Sequence, residues 1–349
     1  MIGLSLLASL LAVTAAVSAE RTSNYFNYTV VPGIFQQDDP STDASKFNFT
    51  ASNFGILNRT YPSDSSCPDR KHSTQWQRLS HYIDTLNSHP SRKERYALLF
   101  LGRHGEGYHN AAESFFGTPA WNCYWSELDG NGTVTWADAH LTTNGINQAL
   151  SVNRFWKQLI EKEKITPPQT YYTSPLYRCL ATANLTFSGL RLPRKAPFNP
   201  IVKEFFREGI SAHTCDRRSN KTYIHANFPS YRFEKGFPEH DPYWTPLHAE
   251  TSKDQDIRSR KALDDVFSAD GSSYISVSSH SGEIASLLRV LGHRVFGLST
   301  GAALPVLVKI TTLQGEGPST VTQPYSPVST CATAPTTRET TCNDCSCCK

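Results

Sequence analysis

Long apolar runs alternate with helical patterns along the middle of the chain. The runs cover residues 96–101, 274–277 and 304–310, and more weakly residues 171–172. Runs of this kind are typical of strands that are buried on both faces of a sheet. Apolar residues at helical spacing cover residues 76–86, 144–160, 176–187 and 283–295, with Ser73 as the candidate N-cap of the first helix. Strands that alternate with helices predict an α/β fold, a three-layer α/β/α sandwich around a mostly parallel central sheet.

The same pattern divides the chain into four segments. An uncharged run rich in Leu and Ala predicts a signal peptide over residues 1–19. No Lys or Arg precedes that run, so an N-terminal membrane anchor remains the alternative. Residues 20–95 largely lack periodicity and are predicted to be an N-terminal extension packed on the core, whereas residues 96–313 form the predicted catalytic α/β domain. Residues 314–349 are predicted to be a disordered stalk rich in Ser, Thr and Pro with a Cys-rich tail.

Sequons and cysteines also favour secretion. Asn-x-Ser/Thr triplets begin at Asn27, Asn48, Asn58, Asn131, Asn184 and Asn220. The nine cysteines favour disulfides in an oxidising compartment, but their pairing cannot be derived from the sequence, and the odd number leaves one thiol over. For the cysteines at 342–348, a disulfide knot or cross-linking to another chain is preferred over a metal–thiolate cluster. We therefore expect a secreted, extracellular glycoprotein.

Composition narrows the range of partners. The 349 residues are 38% hydrophobic and 19% charged, with a net charge of +3, which is an ordinary globular profile. The longest basic cluster, at 258–261, is typical of a solvated helix face, so no nucleic acid partner is expected. No stretch after residue 19 approaches the length of about 18 apolar residues that a membrane span needs, so stable membrane insertion is not expected.

Basic side chains follow three of the predicted strands. Arg103 and His104 follow the first run, Arg178 follows the weaker run, and His280 follows the run at 274–277. Because the carboxyl ends of parallel strands meet at one edge of a sheet, we expect these side chains to share one crevice. A guanidinium group can bind two oxygens of one phosphate at once, and an imidazole can attack phosphorus to form a phosphoenzyme. The pattern therefore indicates a site for a phosphate ester.

Several segments, in order, resemble the histidine phosphatase superfamily in its phosphoglycerate mutase-like branch. They are Arg103-His104-Gly105-Glu106 with Asn110, Leu141-Thr142 with Gly145, Gln148 and Ala149, Ser174-Pro175-Leu176-Tyr177-Arg178 with Thr182 and Ala183, Arg207-Glu208-Gly209, and His280-Ser281-Gly282. The resemblance extends over residues 96–310 and implies a phosphoglycerate mutase-like fold. Cys179 stands where the family usually has Ala. The extended pattern, together with the predicted signal and sequons, resembles secreted members from filamentous fungi.

The resemblance implies roles for individual residues. The expected catalytic residues are His104, Glu208, Arg103, Arg178 and His280, and the expected substrate-binding residues are Asn110, Gly105 and Ser281. His104 would take the phosphoryl group, and the other basic residues would hold its oxygens. Glu208 would protonate the leaving oxygen and then activate water, with Glu204 as the alternative acid. No metal and no cofactor is expected, because the basic side chains supply the positive charge.

These roles predict a secreted hydrolase of small-molecule phosphate monoesters. One alternative within the family is a mutase, which would move phosphate between hydroxyls of one substrate with the same residues. Another is a non-catalytic secreted glycoprotein that binds phosphate. The pattern Gly297-Leu298-Ser299-Thr300-Gly301 suits a serine hydrolase, but a helix precedes it and a strand follows, the reverse of what that motif needs.

A polar cluster follows the predicted acid. It contains His213, Cys215, Asp216, Arg217 and Arg218. The cluster could contact substrate, bind a metal, or anchor its segment through a disulfide at Cys215. The disulfide is the preferred interpretation, since the chain is predicted to be secreted.

Overall fold

The computed structural model describes residues 23–88, 93–335 and 345. The predicted signal peptide, residues 1–19, lies outside the described residues, as do Cys342, Cys347 and Cys348 of the tail. In the described ranges, no helix combines the length and the apolar character that crossing a bilayer requires.

Strands of the main sheet form the centre of the described structure. In chain order, the strands of the described residues, in the main sheet and outside it, are β1 (Asn24–Val30), β2 (Glu94–Arg103), β3 (Thr170–Thr173), β4 (Ile201–Val202), β5 (Arg232–Phe233), β6 (His248–Ala249), β7 (Tyr274–Ser279), β8 (Ala303–Gln314) and β9 (Ser326–Pro327). The main sheet has the order β1-β8-β2-β7-β3-β4-β5, and β6 pairs separately with β9. Strands β2, β7, β3, β4 and β5 run parallel to one another, whereas β8 is antiparallel to both β1 and β2.

Helices cover both faces of this sheet. They are α1 (Gln75–Asn87), α2 (Tyr108–Phe116), α3 (Thr118–Cys123), α4 (Thr143–Gln158), α5 (Tyr177–Phe187), α6 (Lys221–Asn227), α7 (Ser252–Ala269) and α8 (Ser281–Leu291). Successive side chains of a strand point to opposite faces. Leu99 and Leu101 of β2 pack with α7 and α8, whereas Leu98 and Phe100 pack with α1 and α4. The predicted fold class, an α/β/α sandwich with a mostly parallel sheet, is therefore confirmed.

The N-terminal extension supplies an edge strand that its sequence pattern does not indicate. β1 pairs with β8 from Asn24 opposite Gln314 to Val30 opposite Val308. Tyr28 is the buried side chain of this strand, and the others are exposed or half-buried. With so little burial, β1 lacks the alternation of apolar and polar residues that would reveal it.

Two helix ends differ from their predicted positions. Thr74, not Ser73, caps α1, because its side chain accepts a hydrogen bond from the Gln77 amide while the Gln77 side chain accepts one from the Thr74 amide. α8 ends at Leu291, before the predicted boundary at residue 295, because Gly292 adopts a left-handed conformation with φ of 78°.

The cysteines divide into a bonded group and free thiols. Cys123 of α3 forms a disulfide with Cys345 of the tail, and Cys331 is also disulfide-bonded. Cys67, Cys179 and Cys215 are free. The predicted disulfide at Cys215 is therefore wrong. Its segment is held by hydrogen bonds instead, because buried arginines donate to the carbonyl oxygens of Cys215 and Asp216.

Part of the segment predicted to be a stalk contacts the domain. β9 pairs with β6, the Gln323 amide donates to the Asp254 carboxylate, and the Cys331 amide donates to the Cys123 carbonyl over 2.8 Å. The Ser-, Thr- and Pro-rich composition of residues 314–335 does not indicate these contacts. They link the tail to α3, which directly follows α2 in the chain.

Candidate active site

Three neighbouring parallel strands end at the same edge of the sheet. β2 ends at Arg103, β3 ends just before Ser174, and β7 ends just before His280. The His104 amide donates to the Ser279 carbonyl over 3.0 Å, and the Ser174 amide donates to the Ser278 carbonyl over 2.9 Å. The predicted convergence of the strand ends is present, and it brings the His104 and His280 rings to a centroid distance of 5.1 Å.

The His104 ring is held in one tautomer. It is 1% exposed, and its Nδ1 lies 2.7 Å from the Gly105 carbonyl oxygen. Because a carbonyl oxygen only accepts, Nδ1 carries the proton and Nε2 carries the lone pair. Burial and the charges of Arg178 and Arg103 lower the pKa of His104 well below its ordinary value. The ring is therefore neutral, and Nε2 is available for a reaction.

Gly105 is needed for close backbone packing. A Cβ at Gly105 would lie 2.4 Å from the Gly145 carbonyl oxygen, and a Cβ at Gly145 would lie 2.0 Å from the Glu106 carbonyl oxygen. The Gly105 amide donates to the Thr182 hydroxyl over 2.9 Å. In this arrangement that amide is bonded to α5, and the absence of a Cβ lets Gly105 pack directly against Gly145.

Arg178 lies at the start of α5 within a buried network. The Asp138 carboxylate fixes that start by accepting from the Tyr177 amide over 2.8 Å. Arg178 is 1% exposed, and its Nε donates to Nδ1 of His280 over 3.2 Å. Since Nδ1 of His280 accepts, its Nε2 carries the proton and donates to the Ser174 hydroxyl over 2.7 Å. Both nitrogens of His280 therefore have protein partners, and its contact with a phosphoryl oxygen would require exchange of one bond.

Asp216 is the charge partner of Arg178. Its Oδ1 accepts from Arg178 over 3.1 Å, and its Oδ2 accepts from the Ser211 hydroxyl over 2.7 Å. Removing one member of a buried ion pair leaves an uncompensated charge and costs about 3–5 kcal/mol. The sequence places Asp216 in a polar cluster after Glu208 but does not reveal this role. The partnership could have been expected, because a buried arginine needs a carboxylate nearby.

Two buried polar atoms near His104 have no hydrogen-bond partner among the described residues. Arg103 donates to the Leu298 carbonyl over 2.7 Å, and its Nε is buried without a partner among the described residues. Nδ1 of His109, whose ring lies 5.3 Å from that of His104, is likewise buried and unpaired. Asn110 accepts from the Gly107 amide through Oδ1. Buried polar groups are rarely left unpaired, so such atoms are typical of a place where a ligand binds.

Glu208 lies beside His280 at the start of α8. Its carboxylate accepts from the Gly282 amide over 3.2 Å and from the Glu283 amide over 3.0 Å. Burial, followed by the nearby Asp216, raises the pKa of Glu208. A carboxyl group with a raised pKa can donate a proton near neutral pH. Ser281, the first residue of α8, lies between His280 and the amide that contacts Glu208.

The alternative acid, Glu204, has other partners. Its carboxylate is 4% exposed and accepts from Arg207 and from Arg218. A carboxylate that is enclosed by two guanidiniums is not free to exchange a proton with a substrate. The structure therefore favours Glu208.

Two groups of side chains have the donor atoms of a metal site within the described residues. They are Cys123, Cys331 and Cys345, and His213, Cys215 and Asp216, each with ligand atoms within 4.8 Å of one another. The first group is held in disulfides. In the second, the carboxylate of Asp216 is bonded to Arg178 and Ser211, and the adjacent guanidinium would repel a cation. Neither group fits a metal in this arrangement.

Comparisons with known proteins identify the family of this chain. The profile of the histidine phosphatase superfamily (branch 1) matches residues 99–304. A protein of Arthroderma benhamiae named "Probable phosphoglycerate mutase" is 47% identical over 312 residues, which are 89% of this chain and 92% of that protein. "Phosphomutase-like protein 3" of Candida albicans is 37% identical and covers 79% of this chain and 78% of that protein. The chain belongs to the histidine phosphatase superfamily.

A solved structure of a mycobacterial enzyme is also similar. It is a glucosyl-3-phosphoglycerate phosphatase that is 18% identical, covers 61% of this chain and 91% of that chain, and has a TM-score of 0.37.

Proposed function

We propose that this protein is a secreted phosphatase that hydrolyses small-molecule phosphate monoesters through a phosphohistidine at His104, without a metal ion. The observation that carries the proposal is the state of the His104 ring. Its Nδ1 proton is donated to the Gly105 carbonyl, which leaves the Nε2 lone pair next to Arg103 and Arg178. A neutral imidazole beside two guanidiniums is suited to attack a phosphoryl group.

In the first step, Nε2 of His104 attacks phosphorus and the bond from phosphorus to the alcohol oxygen breaks. Arg103 and Arg178 stabilise the negative charge on the transferring oxygens. The Glu208 carboxyl gives its proton to the alcohol oxygen as that bond breaks, which its raised pKa favours. The products of the step are the free alcohol, phosphohistidine and the Glu208 carboxylate.

In the second step, water attacks the phosphohistidine. The Glu208 carboxylate takes a proton from the water, and the bond from phosphorus to Nε2 breaks. Inorganic phosphate leaves, and His104 returns to its neutral form. Glu208 is protonated again, so the cycle is balanced without an external reactant.

Surface features support secretion. All six asparagines of the sequons are exposed, as glycosylation requires. The disulfide between Cys123 and Cys345 suits an oxidising compartment. Treatment of the protein from a culture medium with an endoglycosidase should reduce its apparent mass. Retention of an unglycosylated protein in cells would contradict this part of the proposal.

A second candidate is a phosphoryl transferase, which the name of the Arthroderma benhamiae relative favours. It would use the same phosphohistidine but pass the phosphoryl group to another hydroxyl and exclude water. A secreted protein meets phosphate esters that can be scavenged, so hydrolysis is preferred.

The experiment is release of phosphate from p-nitrophenyl phosphate in the presence of a chelator, with His104→Gln and the exposed His72→Gln as a matched pair. The proposal predicts activity in the wild type and in His72→Gln. Loss of a nucleophile should lower kcat by about 10⁴-fold or more. Activity that requires a metal ion, or that persists in His104→Gln, would contradict the proposal.

A further inference from the structure

Of the two guanidiniums next to His104 in the described part of the chain, Arg178 is paired with Asp216, whereas Arg103 has no carboxylate partner. Arg103 and Arg178 are the cations that act on His104 itself. Four further arginines follow or pack behind Glu208, and each is paired with a carboxylate: Arg207 with Glu204 and Asp241, Arg217 with Asp129, Arg218 with Glu204, and Arg258 with Glu250 and Glu283. A second anionic group of a substrate would have to compete with a carboxylate for each of these four arginines.

Glu113 adds negative charge on the substrate side of this cluster. It lies on α2 four residues after His109, and residues with that spacing share one face of a helix. Since the His109 ring lies 5.3 Å from that of His104, this face of α2 borders the site. Glu113 is half-buried, and its Oε1 accepts from the Thr118 hydroxyl over 3.0 Å. Its charge raises the pKa values of both Arg103 and His213, although burial lowers them more.

His213 supplies a neutral polar group within the electrostatic influence of Glu113. Its backbone is held by the Trp244 indole, which donates to its carbonyl over 2.9 Å, and by the Ser211 hydroxyl, which accepts from its amide. Its ring lies 6.1 Å from that of Trp121. Burial lowers the pKa of His213, so the ring is neutral near pH 7. A neutral imidazole can exchange hydrogen bonds with a hydroxyl but offers no counter-charge to an anion.

From these three features we infer that the substrate is a phosphate monoester whose alcohol half carries no negative charge, such as a polyol or amino alcohol phosphate. The inference rests on the proposed function and specifies its substrate class. One phosphoryl group would use Arg103, which has no carboxylate partner within the described residues, together with Arg178, whose charge Asp216 partly offsets. A carboxylate or a second phosphate on the alcohol would lie among Glu113, Glu208 and a neutral His213, without a cation to pair with.

This inference separates the chain from the activity in the name of its relative. Phosphoglycerate carries a carboxylate beside its phosphate ester, and a mutase cycle on it passes through a bisphosphorylated species. Both need a second site for negative charge. Arg207, Arg217, Arg218 and Arg258, which follow or pack behind Glu208, already have carboxylate partners, which disfavours them as such a site.

The experiment compares kcat/KM for glycerol 3-phosphate and 3-phosphoglycerate, which differ by a carboxylate in place of a hydroxymethyl group, and for phosphoethanolamine. The two esters without added negative charge should be hydrolysed with kcat/KM at least about tenfold above that for 3-phosphoglycerate, from the repulsion between partly solvated carboxylates. Glu113→Gln should reduce the ratio of kcat/KM for glycerol 3-phosphate to kcat/KM for 3-phosphoglycerate by about fivefold. The substitution keeps the shape of the side chain and removes its negative charge.

Glu94→Gln is the matched control. It removes the same charge at the opposite end of β2, where Glu94 pairs with Lys309, and should leave the ratio unchanged. p-Nitrophenyl phosphate is measured in parallel. Hydrolysis of this compound together with equal or faster use of 3-phosphoglycerate would overturn the substrate class but leave the phosphatase proposal standing. If no ester is hydrolysed, both the substrate class and the phosphatase proposal are overturned. If the ratio of kcat/KM for glycerol 3-phosphate to that for 3-phosphoglycerate is unchanged in Glu113→Gln, Glu113 does not select against the carboxylate.

Discussion

His104 and His280 stand at the ends of neighbouring strands, yet their hydrogen bonds differ. His104 donates one bond, to the Gly105 carbonyl, and keeps a free nitrogen. His280 accepts from Arg178 and donates to Ser174, so both of its nitrogens are engaged. A position at a strand end therefore does not by itself define the role of a histidine. The partner of each ring nitrogen separates a nucleophile from a residue that orients a guanidinium.

The same substitution at both histidines tests this difference. His104→Gln should abolish turnover, by about 10⁴-fold or more, because the attacking atom is lost. His280→Gln should lower kcat by about 10²-fold, the usual cost of disturbing one charge-stabilising group. Stopped-time assays with p-nitrophenyl phosphate, with thermal unfolding as the check on folding, give both values. If both variants fold and lose kcat by the same factor, the two histidines do not differ in role in this way.

The pH profile sharpens the comparison between nucleophile and acid. The pKa of His104 is lowered by burial, so the ring stays neutral through mildly acidic pH, while the pKa of Glu208 is raised by burial, so its proton persists above the ordinary range. Activity should therefore hold below pH 6.5 and fall as the pH rises through the raised pKa of Glu208. Glu208→Gln should remove that fall and slow glycerol 3-phosphate by about 10²-fold, but p-nitrophenyl phosphate less. Equal slowing of both esters would point to another acid.

A smaller effect is expected from the glycine that contacts Glu208. A Cβ at Gly282 would lie 2.4 Å from Oε1 of Glu208, so Gly282→Ala should displace the carboxylate, whose flexible side chain can move. We expect kcat for glycerol 3-phosphate to fall by about tenfold or less. Gly271→Ala, where nothing lies within 4 Å of the added Cβ, is the matched control. A change of melting temperature instead of kcat would indicate a purely structural glycine.

Local patterns were sufficient for the centre of the fold and for the outline of the site. The apolar runs located β2, β7 and β8, and the residues after the parallel strands pointed to the crevice where His104 and His280 meet. These features depend on a few consecutive residues and on a general rule of parallel sheets, so the sequence displays them directly.

Features that depend on distant partners were not predictable in the same way. Asp216 pairs with Arg178, Ser174 binds His280, and Cys215 is free although secretion suggested a disulfide. β1 joins the sheet through backbone bonds to residues more than two hundred positions away, with little burial of its own side chains. No local pattern specifies such pairings, because each is decided by which segments pack together after folding.

The most direct test of the account is to identify the covalent intermediate. The protein is mixed with a phosphate monoester and quenched in alkali, in which phosphohistidine survives, and the peptide that contains His104 is analysed by mass spectrometry. The account predicts a phosphoryl group on His104 that is lost in acid and absent from His104→Gln. A phosphoryl group on another residue, or turnover in His104→Gln, would contradict it.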